Sequence, residues 1–111
     1  MPQELINQKR TFNLAAPGAN TDFYTADLTP VYPASTMRVS VRLSTASVLN
    51  LIIKQGATTF TTGLNASAAL QAGDLYTFVF GINGSCTYNF QVETDGVISY
   101  FQVDELSGVV A

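Results

Sequence analysis

Histidine and tryptophan are absent from this chain, cysteine occurs once, and charge is scarce. Without histidine there is no His-based triad or acid–base pair and no imidazole metal ligand. The lone Cys86 excludes an intrachain disulfide and a cysteine zinc site. With no imidazole to activate it, it reads as a small, buried or half-buried residue beside a turn. No glycine-rich phosphate loop follows a strand and opens a helix. A carboxylate pair is the remaining catalytic option, but Asp104 and Glu105 are strand neighbours and point to opposite faces. Glu93 and Asp95, with Asp104 or Asp74, read as a solvated acidic turn rather than a Ca²⁺ site. No stretch reaches the length of a membrane span. The opening MPQELINQKR lacks the apolar run of a signal peptide, so synthesis in the cytoplasm is expected. The expectation is a protein with no catalytic residue, cofactor, metal or small-molecule substrate, and no membrane partner.

Charged residues make up 12% of the 111 positions, about half the usual share, against 47% hydrophobic. Much of the remainder is Thr, Ser, Asn and Gln, a surface suited to packing against copies of itself or a larger body. The net charge of −3 argues against general nucleic-acid binding. All five basic residues (Lys9, Arg10, Arg38, Arg42, Lys54) precede position 55, and five of the eight acids follow it. The two halves are therefore able to pair, within the fold or between subunits.

What is present is strand after strand. LYTFVFGI alternates Tyr76, Phe78, Phe80 and Ile82 against Thr77, Val79 and Gly81. Asn83-Gly84 is a hairpin signal, and TYNFQV returns with Tyr88, Phe90 and Val92 on one face. Asp95-Gly96 then leads into VISYFQVDEL, apolar in both phases: Val97, Phe101 and Val103 in one, Ile98, Tyr100 and Leu106 in the other. Such a strand is covered on both faces or contains a bulge that switches its phase. Upstream, MRVSVRLST points Met37, Val39, Val41 and Leu43 inward and Arg38 and Arg42 outward, and SVLNLIIKQ points Leu49, Leu51 and Ile53 inward. TTFTTGL reads as an edge anchored by Phe60, and residues 65–74 as loop with one helical turn near Ala68 to Leu70. Short strands are expected at Thr11–Leu14, closed by the loop Ala15–Gly18, and at Asp22–Leu28, with the two-proline segment 29–36 as a connection or an edge segment. About eight short strands and almost no helix predict an all-β protein, a single antiparallel β-sandwich of jelly-roll type. Residues 1–10 are assigned to a flexible arm, 11–106 to the sandwich and 107–111 to a tail.

The segments VSVRLSTASVLNLIIKQG and TYNFQVETDGVISYFQVDEL resemble small β-sandwich proteins encoded among phage virion genes. The resemblance covers roughly the last two-thirds of the chain and brings no catalytic motif with it. It implies a jelly-roll-like virion protein, often a homotrimer, that decorates and stabilises the capsid shell or serves in a tail, fibre or baseplate. Its partners would be itself and the major capsid protein or other virion proteins, assembled in the host cytoplasm. Contact residues are expected at Lys9 and Arg10 in the arm, Tyr32 in its proline loop, the outward Arg38 and Arg42, Tyr100, and Val109 and Val110 in the tail. The reading from another class is a carbohydrate-binding sandwich. Its aromatic platform would have to come from Tyr24, Tyr32 and Tyr100, which are scattered along the sequence.

Overall fold

A computed structural model of the chain describes the backbone of residues 4–12 and 18–110, and the side chains of 18–106. The expected loop at Ala15–Gly18 therefore lies outside the described residues except for Gly18, as do Asn13 and Leu14.

Seven strands form two antiparallel sheets: β1 (Glu4–Phe12), β2 (Ala34–Leu43), β3 (Leu49–Gln55), β4 (Thr58–Gly63), β5 (Leu75–Asn83), β6 (Thr87–Val92) and β7 (Ile98–Val110). One sheet has the order β1-β7-β2-β5 and the other β4-β3-β6. The segment before β2 adds a broken edge to the second sheet. Asn20 N donates to Val92 O, Phe23 N to Phe90 O, and Leu28 and Tyr88 exchange both backbone bonds. Counting that segment as a strand gives eight in jelly-roll order, with every consecutive pair except β3 and β4 passing between sheets. The fold expectation holds at the level of an all-β sandwich.

Three expectations are corrected. LYTFVFGI and TYNFQV do not form a hairpin: β5 pairs with β2, and β6 pairs with β3. Alternation shows which face a strand buries, not which strand it pairs with. Gly84 owes its place to close packing rather than to positive φ, since a Cβ there would lie 3.0 Å from Tyr32 O. The Asn83 carboxamide shapes that turn, its Oδ1 accepting from the Ser85 backbone N–H and hydroxyl, both at 2.8 Å. Second, β1 and β7 run through residues read as an arm and a tail, pairing along Glu4↔Val110 to Phe12↔Gln102. Third, no helical turn forms near Ala68. Instead Asn65, Ala66 and Ser67 all take positive φ, between 54° and 64°.

Strand β7 resolves its double apolar phase by a bulge. Arg42 pairs with Tyr100 but Leu43 with Ile98, which leaves Ser99 unpaired. Val97, Ile98, Phe101 and Val103 are therefore all buried. Phe101, fully buried, lies at the centre of the core. Its ring meets Phe23 edge-on at 4.8 Å and Phe90 at 5.2 Å, which sets β6 opposite β7 across the sandwich. By the strand orders, β3 then lies opposite β2, and β4 opposite β5.

Candidate interaction surfaces

Most of the buried polar side chains hold the fold. Glu105, only 5% exposed, points toward the interior and closes the end of the sandwich at the proline loop. Its Oε2 accepts from Val31 N (2.9 Å), Tyr32 N (3.3 Å) and Ser35 Oγ (2.8 Å), and its Oε1 from Val31 N at 2.9 Å. Asp104 faces the other way, under the outer surface of the β1-β7-β2-β5 sheet. It is 1% exposed and accepts from Arg38 at 2.8 Å and from the Gln102 amide. The opposite orientation of these two acids is as the sequence requires.

On the outer face of the second sheet, Asn89 substitutes for missing ladder bonds. It is fully buried, and its carboxamide accepts from Tyr24 N and donates to Tyr24 O and Asp27 Oδ1. Lys54 closes this clasp, 3.0 Å from Asp27 and 3.7 Å from Asp22. The bond from Asn89, then those from Lys54 and its charge, hold the Asp27 carboxyl below its ordinary pKa against the opposing effect of burial. The bond to Asp27 in turn raises Lys54. A carboxyl with a depressed folded pKa contributes stability above its unfolded value of about 3.9, and that contribution is lost as pH falls through the folded value. An NMR titration should therefore place the Asp27 midpoint below the ordinary range. Asn89→Ala should move it upward and speed amide exchange at Tyr24. An unchanged midpoint in that variant would show that the clasp does not act through Asn89.

The predicted contact residues do not converge on one patch. Arg10 is opposite Asp104 and Lys9 opposite Glu105 in the β1–β7 register, and Val109 and Val110 pair with Leu5 and Glu4. The side chains of those four predicted residues lie outside the described set. Tyr32 is half-buried at the Glu105 end. Arg38 is engaged by Asp104. Arg42 is exposed, and among the described residues it makes no ion pair. The register places Tyr100 on one side of it and Leu75 on the other, all on the same outward face. Together with Ser40 and Ser99 they line a shallow depression. The three candidate platform tyrosines are separate. Tyr24 packs 6.4 Å from Phe101 with its hydroxyl buried, which raises its pKa by desolvation, while Tyr32 lies at the sandwich end and Tyr100 on the outer sheet face.

Sequence reasoning missed a second surface. The core-facing rings of β5, Tyr76, Phe78 and Phe80, are only half-buried, with Tyr76 and Phe78 stacked at 6.1 Å. On the outward face of the same strand Leu75 is 56% exposed and Val79 62%. Phe60 on β4, expected as an anchor, is 52% exposed, because β4 lies at the rim of its sheet with no strand beyond it among the described residues. The signal was present in the sequence: neither TTFTTG nor LYTFVFGIN contains a charged residue.

These features define a jelly-roll sandwich whose buried polar groups are mostly structural. Among the described residues no group of acidic or cysteine side chains is arranged to hold a metal. No family model matches the chain. No curated protein matches it either. Solved structures do resemble it. The structure of the Gx strain of infectious bursal disease virus matches over 100% of this chain and 32% of its own, at 16% identity and a TM-score of 0.46. The infectious bursal disease virus VP2 subviral particle matches over 95% and 33%, at 13% identity and 0.48. This chain thus spans about a third of the length of those proteins.

Proposed function

We propose that the protein is a non-enzymatic structural component of a virus particle, acting by surface contact rather than by chemistry. In its finer form the proposal is a phage protein that decorates and stabilises the head shell, as a trimer there, with a tail, fibre or baseplate position as the alternative. The observation that carries it is the group Arg42, Tyr100 and Leu75, adjacent on one sheet face, with Arg42 and Leu75 exposed and the Tyr100 ring half-exposed while its hydroxyl donates to Gln102. Arginine and tyrosine are the residue types that most often anchor protein interfaces. The scarcity of charge elsewhere agrees with a surface that is covered in use. No observation favours sugar binding, because the tyrosines share no face.

The test is association with particles. The tagged protein should remain with virions through a density gradient at fixed stoichiometry, and labelling by electron microscopy should place it on the head. Arg42→Glu should lower occupancy at least tenfold with unchanged melting, and Tyr100→Ala should lower it as far, with a small loss in melting from the lost bond to Gln102. Absence from purified particles would refute the proposal. Full occupancy with both variants would remove this patch from it.

A further inference from the structure

We infer that β5 is a homotypic interface: two copies of the chain pair antiparallel through this strand about a two-fold axis at Val79, joining their sheets into one. This rests on the geometry of the edge and not on the virion reading.

The strand is an unprotected edge. Long edges are usually blunted by charge, proline, bulges or a covering segment. Two other exposed margins of this sandwich follow that rule. β1 contains Glu4, Lys9 and Arg10, and the broken edge at residues 20–28 carries Asp22 and Asp27 and departs from regular pairing. β5 has nine residues with no charge, no proline and no break in its register with β2. Among the described residues nothing pairs with its far side. The facing rim, β4, is equally uncharged.

The backbone parity fixes what the edge offers. Gly84 N donates to Pro33 O, and this pair continues the β2–β5 register. In an antiparallel ladder, bonded pairs alternate. The even-numbered residues of β5 therefore bond to β2, and Thr77, Val79 and Gly81 direct their N–H and C=O away from it. The bonds Gly73 N to Leu43 O and Ser44 N to Val97 O show the same alternation along β2.

A second copy fits this edge along its whole length. The strand runs from Leu75 to Asn83, so only an axis at Val79 pairs all nine residues with their counterparts. In that register the two Val79 residues exchange backbone bonds, and Thr77 does so with Gly81 of the partner subunit. A two-fold axis normal to the sheet keeps faces matched. The outward Val79, the most exposed large apolar residue described, meets its own mate, and on the inner face Phe78 lies opposite Phe80 of the partner subunit. An uncharged strand does not repel its copy, and it offers an acidic or basic partner nothing to recognise. The area is sufficient. At about 3.4 Å per residue and with sheets about 10 Å apart, the open side measures roughly 30 by 20 Å. Two copies would bury about 1,200 Å², at the lower limit of stable interfaces.

The test is solution mass by sedimentation over a range of concentrations, with two substitutions. Val79→Pro removes an N–H that points away from β2, so it spares the internal ladder and blocks the intermolecular one. Val79→Lys places two like charges at the axis and changes only an exposed side chain. The wild-type chain should reach twice its 11.9 kDa mass, and both variants should stay monomeric with unchanged circular dichroism. Amide exchange at Thr77, Val79 and Gly81 should slow as the wild-type concentration rises. Should Val79→Pro fail to fold, Val79→Lys and the exchange measurement decide. A wild-type monomer up to the solubility limit, a trimer, or a dimer that survives either folded variant overturns the inference. Loss of particle binding without loss of the dimer would count against the virion reading alone.

Discussion

Replacing Phe101 with alanine is expected to lower the unfolding free energy by about 3–5 kcal/mol. The ring is fully buried near the start of β7, the strand that lies between β1 and β2. It touches Phe23 from the broken edge and Phe90 from β6, both in edge-on or tilted contact, so it joins the two sheets at one point. Truncation removes its transfer free energy and leaves a cavity that neighbouring strands, fixed by their ladders, are unable to close. A domain of this size has about 5–15 kcal/mol in total, so the loss is a large share of it. Urea unfolding monitored by circular dichroism measures it directly. A loss below about 1 kcal/mol would mean that the aromatic cluster is not the core of the fold.

The second large effect is expected at Glu105, with an order among variants that a simple burial argument does not give. Glu105→Ala deletes the acceptor for Val31 N, Tyr32 N and Ser35 Oγ at once. The serine hydroxyl is free to rotate, but two backbone N–H groups lose their partner, at a cost of about 2–4 kcal/mol. Glu105→Gln keeps a carbonyl oxygen where Oε2 accepts from all three donors. Its amide then replaces Oε1, which faces only Val31 N at 2.9 Å, donor against donor. That variant should lose about 1–2 kcal/mol. Amide exchange at Val31 and Tyr32 should rise in both variants, more in the alanine. If glutamine proved equal to wild type, the carboxylate would be replaceable by any acceptor and the bifurcated bond would contribute nothing.

The face each strand buries was readable in the sequence, and so was the sandwich. Met37, Val39, Val41 and Leu43 are buried as their spacing requires, and so are Tyr88, Phe90 and Val92. Pairing partners were not readable, because alternation is the same whether a strand turns back on its neighbour or crosses to the other sheet. Asn83-Gly84 looked like a hairpin turn for that reason. Most of β1 was invisible because ELINQKRTF has no apolar period; only Thr11 and Phe12 at its end were read as strand, and the rest is recognised through its register with β7. The segment at residues 20–28 lost its strand character because the Asn89 carboxamide supplies bonds that a regular ladder would otherwise make. The open β4–β5 side is a property of strand order. Its composition was visible, but its location at the rim was not.

The placement of β7 between β1 and β2 also sets the order of events during synthesis. The central strand of that sheet is the last of the seven to leave the ribosome, and until it does β1 has no partner and β2 is paired on one side only. Contacts between strands as far apart in sequence as β1 and β7 close slowly, since a long loop must be ordered before they form. The β3–β4 hairpin, joined by Gly56 and Ala57, is local and is free to form early. The nascent protein therefore exposes the uncharged β5 edge and an incomplete sheet at the same time, a state open to mispairing with other unfinished chains. Insertion of β7 is the step that converts that intermediate into a sheet with one free apolar edge.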